Sequence, residues 1–101
     1  MQIVLGKQVA DRLRENYTVL ELETFVVKGE AVTAYCVVDQ IPIMELASLE
    51  NHKELHQTFM DEYNKGNYRF CVDAVEHLKG RFNGDLDSFY DILIARLNKS
   101  S

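Results

Sequence analysis

The sequence predicts an α+β domain in which an N-terminal helix and a two-stranded antiparallel β-hairpin pack against a C-terminal bundle of about three helices. Three observations carry this. The stretch "YTVLELETFVVKGEAVTAYCVVD" is dense in β-branched and aromatic residues and is interrupted only by "KGE", the composition of two strands joined by a tight loop. From Pro42 onward the apolar residues instead recur every three or four positions, punctuated by Gly66, Gly80 and the "NG" at Asn83 and Gly84, which is helical spacing with helix stops. Finally, the chain has 101 residues, 47% hydrophobic and 27% charged. That is enough for one core and too little for two, so residues 1–101 read as a single domain.

Taken in order, Met1 to Leu5 can form a short strand leading into the first helix. That helix spans Gly6 to Asn16, with Val9, Ala10 and Leu13 at helical spacing and Asp11, Arg12, Arg14 and Glu15 turned elsewhere. In the hairpin, setting Val27 opposite Ala31 places Leu20 against Val38, Leu22 against Cys36, Thr24 against Ala34 and Val26 against Val32. One face is then nearly all apolar, and a slip by one residue would break it. The other face carries Val19, Glu21, Glu23, Phe25, Tyr35 and Val37, too apolar to stand simply in water. A hairpin alone is marginal, so helices must cover one side, and the first helix or another subunit meets the other.

Pro42 suits a first helical position, and "IMELASL" after it begins a helix. Asn51 and Glu54 have capping-box spacing, which places a break near residue 50. Gly66 ends this region, and Asn67 caps a stretch carrying Tyr68, Cys71, Val72, Val75 and Leu78. Asp85 caps the last helix, whose buried side holds Leu86, Phe89, Tyr90, Leu93, Ile94 and Leu97. Within residues 55 to 97, "YNKGNYRFCVDAVEHLKGRF", with its glycine–aromatic start and small Ala74, resembles a tetratricopeptide helical hairpin. The resemblance covers under half of the chain and has no second copy, whereas arrays of this kind need repeated units. What it implies is a pair of helices whose groove can take a partner peptide.

Chemistry is hinted at most clearly by "ENHKELH", which sets His52 and His56 one helical turn apart. Both fall in line with the apolar stripe of Leu55, Phe59, Met60 and Tyr63, where histidines are usually half-buried with one nitrogen hydrogen-bonded. The short turn at "KGN" folds the helix around His77 back alongside them. Three imidazoles plus water form a recognised zinc arrangement, so His52, His56 and His77 are the candidate metal ligands, with zinc as the alternative to a protein without a cofactor. The acidic residues Asp85, Asp87 and Asp91 lack the glycine and terminal glutamate of a calcium loop. Cys36 and Cys71 occupy apolar positions, which make a thiol inert. Glu21 and Glu23 share one strand face, more simply as solvated carboxylates than as an acid/base pair.

A formal net charge of −5 opposes nucleic-acid phosphates and anionic membranes. No apolar run approaches the roughly 20 residues that cross a bilayer. "MQIVLGKQVADRLREN" has neither a basic start nor a long apolar stretch, so it does not read as a secretory signal. Two cysteines without a CxxC spacing fit a reducing cytoplasm. The expectation is therefore a small, acidic cytoplasmic protein, more simply non-enzymatic, that binds another protein and self-associates as a homodimer. The expected contact surface is the second hairpin face, at Val19, Phe25, Tyr35 and Val37.

Overall fold

A computed structural model describes residues 1–100. Its elements are β1 (Gln2–Leu5), α1 (Lys7–Leu13), β2 (Thr18–Val27), β3 (Glu30–Val38), α2 (Ile43–Leu46), α3 (Leu49–Asn64), α4 (Tyr68–Leu78) and α5 (Asp87–Ser100), with a 3-10 turn at Phe82–Gly84. The fold is α+β, but the sheet is three-stranded and antiparallel, in the order β1-β3-β2. This corrects the expectation of an N-terminal helix followed by a two-stranded hairpin. The first strand pairs Gln2 with Val37 and Leu5 with Ala34, so the central strand is β3. Both β1 and β2 run antiparallel to β3 and hence parallel to each other, and α1 carries the chain across one face between them.

The hairpin register also differs from the expected one. Lys28 and Gly29 close the turn in two residues with φ of 52° and 82°, the backbone of a type I′ turn, whose twist matches that of antiparallel strands. Val27 therefore faces Glu30 instead of Ala31. Farther from the turn, Leu22 and Glu23 together oppose Ala34, a bulge that moves the register by one more residue, so Leu20 faces Cys36 and Val19 faces Val37. A bulge adds a residue to one strand and flips the alternation beyond it. The inner half of the sheet keeps its expected apolar face, while Phe25 crosses to the side of the helical bundle.

Two clusters hold the layers together. Leu20, Leu22, Ala34, Cys36 and Val38 meet Phe59 and Met60 of α3, Cys71 and Leu78 of α4, Leu86 in the turn before α5, and Tyr90 and Leu93 of α5. On the opposite face Val19, Tyr35 and Val37 are buried with Ala10 of α1, and Val4 and Leu13 pack at the margin. Each large apolar side chain removed from water in this way contributes roughly 1.5–3 kcal/mol. The helix boundaries have local causes. Gly66 (φ 78°) ends α3, with the Asn67 N–H bonded back to the Glu62 carbonyl, a Schellman closure. The Asn67 side chain accepts from the Phe70 N–H at 3.2 Å and caps α4. Asn51, by contrast, lies inside α3, which starts at Leu49, and the break falls at Ala47 and Ser48.

Candidate functional site

The one-turn helix α2 is too short to bury a stripe of its own, and its position is set by what lies on either side. Ile41 before it and Leu49 after it pack against the main core. Pro42 stands at its N-terminal boundary with its carbonyl accepting from the Glu45 N–H at 2.8 Å. The Glu45 carboxylate reaches inward and accepts the Phe82 N–H at 2.8 Å. Phe82 itself is buried with φ 52°, a left-handed conformation that a bulky residue adopts only where its surroundings impose it. With Glu45 turned in, Ile43 (86% exposed), Met44 (95%) and Leu46 (54%) are turned out. The result is a small apolar projection tied down at three points.

A second apolar surface lies where the sheet extends past the bundle. Ile3 of β1, Phe25 of β2, Ala34 of β3 and Phe89 of α5 line an open cleft of about 340 Å³, and Glu23 and Arg96 sit at its rim. Arg96 Nη1 donates to Glu23 Oε1 at 2.6 Å. The Gln57 side-chain amide of α3 donates to Glu21 at 3.1 Å. The bulge separates the two glutamates into different surroundings, and they form no pair.

The three histidines are not brought together as ligands. His56 is buried, with Nδ1 2.7 Å from the Tyr90 hydroxyl and Nε2 2.6 Å from the Glu21 carbonyl oxygen. Both ring nitrogens are thus committed to protein partners, and neither offers a lone pair to a cation. His52 makes an edge contact with the Phe82 ring at 6.5 Å; burial and, next, the nearby Arg81 charge lower its pKa. His77 lines a shallow groove between α3 and α4 with Leu55, Phe70, Asp73 and Ala74. No group of three or more His, Cys, Asp or Glu side chains among the described residues is arranged to hold a metal. Both thiols are free and buried, and burial pushes Cys36 and Cys71 up to about 11, which makes them poor nucleophiles.

Of the four residues expected at a contact surface, Val19, Tyr35 and Val37 lie beneath α1. The first helix occupies that face, so these three are not available on the surface of the protein. Phe25 is exposed, on the opposite side of the sheet, where it lines the cleft. Ile43, Met44 and Leu46 were not singled out from the sequence. The available signal was apolar residues at 41, 43, 44 and 46 in a segment isolated by Pro42 and the break at residue 48, too short to give a helix a buried side. In comparisons with known proteins, the chain matches no family model, no curated protein and no solved structure. No family match therefore stands behind the tetratricopeptide resemblance of residues 55 to 97.

Proposed function

We propose that this is a non-enzymatic protein-binding module that docks a partner through the projection at Ile43, Met44 and Leu46 and that also self-associates. The observation that carries the reading is the near-complete exposure of Ile43 and Met44 on a segment anchored by Ile41, Glu45 and Leu49. Scattered exposed apolar residues are ordinary, but adjacent ones held out on a fixed turn mark a contact surface. Methionine adds an adaptable, polarisable side chain of the kind used on binding surfaces. A partner that offers an apolar groove would take these three side chains as anchors.

The acidic balance of the chain favours a protein partner over nucleic acid or an anionic membrane. No helix among the described residues is long and apolar enough to cross a membrane. A cytoplasmic setting suits two buried free thiols. The reading is tested by comparing what the wild type and an Ile43→Asp/Met44→Asp double variant capture from an extract of the source cells. A partner held by the wild type and lost by a variant of unchanged circular dichroism and melting temperature is the expected result. Capture that is indifferent to the double substitution would sink the proposal.

A further inference from the structure

The free edge of β2 divides into two halves that are treated differently. Antiparallel strands alternate residues whose N–H and C=O face the neighbour with residues whose groups face away. Three observed bonds fix that alternation here. Arg14 Nη1 donates to the Val19 carbonyl at 3.4 Å and His56 Nε2 to the Glu21 carbonyl at 2.6 Å, both from outside the sheet. The Gly6 N–H donates to the Thr33 carbonyl at 2.9 Å, so Thr33 turns toward β1 and its partner Thr24 turns outward. The touching Thr24 and Thr33 hydroxyls, 2.7 Å apart, agree, since side chains approach most closely in pairs that share no backbone bond. Val26, two residues on, also faces outward. The edge is therefore closed at Val19 and Glu21 and open at Thr24 and Val26.

Beyond the bulge at Leu22 and Glu23, the open half carries little of what usually protects an edge. It has no proline and no inward-pointing charge, and Phe25, Val26 (72%) and Val27 are all exposed. We infer that the occupant of this edge is a second copy of the same segment, paired antiparallel about a two-fold axis through Phe25. The residues themselves select that register. Thr24 of each copy meets Val26 of the other, and both outward-facing residues stay within the strand, so four backbone hydrogen bonds form. Centring the pair on Val26 would set Thr24 against Lys28, which already belongs to the turn and has φ 52°. The chosen register lays Phe25 against its own copy and joins the two apolar clefts, of which Phe25 is a wall. It also brings the Lys28 end of each strand to the Glu21 and Glu23 end of the other, so the charges are complementary.

This inference deepens the self-association part of the proposed function and does not use α2. The contact is small, so the dimer is weak and concentration-dependent. Sedimentation equilibrium up to about 1 mM should show a monomer–dimer equilibrium. Val26→Pro removes one outward N–H, which an edge strand tolerates. It should weaken the dimer at least tenfold while circular dichroism stays unchanged. Should that variant fold poorly, Phe25→Cys reads the register independently. Under a mild thiol oxidant it should give a disulfide-linked dimer, with Cys36 and Cys71 shielded by burial. A monomer throughout, or a dimer that a folded Val26→Pro leaves unchanged and Phe25→Cys does not trap, overturns the inference. If such a monomeric protein still loses its partner on Ile43→Asp/Met44→Asp, the edge alone is refuted and the docking surface stands.

Discussion

At the scale of single residues, the most constrained group is His56. A carbonyl oxygen only accepts, so the Nε2 that faces Glu21 must carry the proton, and Nδ1 must then accept from the Tyr90 hydroxyl. Burial pushes the His56 pKa down to about 4, against the smaller opposing effect of the Glu21 carbonyl. The folded value lies below the ordinary 6.5, so as pH falls the unfolded chain takes up the proton first. Stability from this group is complete above pH 6.5 and is lost between there and about pH 4. The steepest decline is about 1.4 kcal/mol per pH unit. Urea titrations across that range should show this slope, reduced in His56→Gln; a profile unaffected by the substitution would contradict the assignment. Tyr90→Phe should cost about 1–3 kcal/mol at pH 7 by leaving Nδ1 buried without a donor. That His56 seats on a buried helical face was legible from its place in the Leu55, Phe59, Met60 stripe. Its partners were not, because Tyr90 and Glu21 lie 34 and 35 residues away in the chain.

At the scale of elements, the hairpin shows which parts of a register can be read. Parity along β2 and β3 placed Leu20, Leu22, Cys36 and Val38 under the helices, and all four are buried there. What parity does not reveal is a two-residue turn combined with a bulge at Leu22 and Glu23, because the two changes together restore the same face for the inner half. Only the outer half changes sides, which is why Phe25 was assigned to the wrong surface. The short strand at Met1 to Leu5 is read from the sequence, but its place in the sheet beside β3 is not, for another reason. Ile3 and Leu5 remain half-exposed, so "QIVL" carries no pattern of burial that assigns it a partner strand. A sign of it lay in β3, where Ala34 to Val38 are buried without a gap, as befits a central strand covered on both faces. The turn makes its own prediction. Lysine at φ 52° is disfavoured where asparagine is accepted readily. Lys28→Asn should therefore stabilise the protein by about 0.5 kcal/mol, read as a higher urea midpoint with unchanged slope. A lower midpoint would argue against the type I′ geometry.

At the scale of the whole molecule, the chain forms α1, sheet and bundle in layers, and apolar surfaces are left over, among them the α2 projection and the cleft that runs out to the open edge of β2. The layers were largely legible, since amphipathic periodicity directs burial. The leftover surfaces were not, because an apolar residue in a sequence reads as core until the fold shows that nothing covers it. Met44 escapes notice for that reason, whereas Val19, Tyr35 and Val37 fail in the opposite sense: their strand face reads as a contact surface until the fold shows that α1 covers it. The proposed function requires that Ile43, Met44 and Leu46 form a preset contact surface, held by Ile41, Glu45 and Leu49, and do not belong to a loose loop. Backbone ¹⁵N relaxation of residues 43–46 tests it most directly. Order parameters near the rigid-backbone value of about 0.85 are expected, and values below about 0.6 would show a mobile segment and contradict the account.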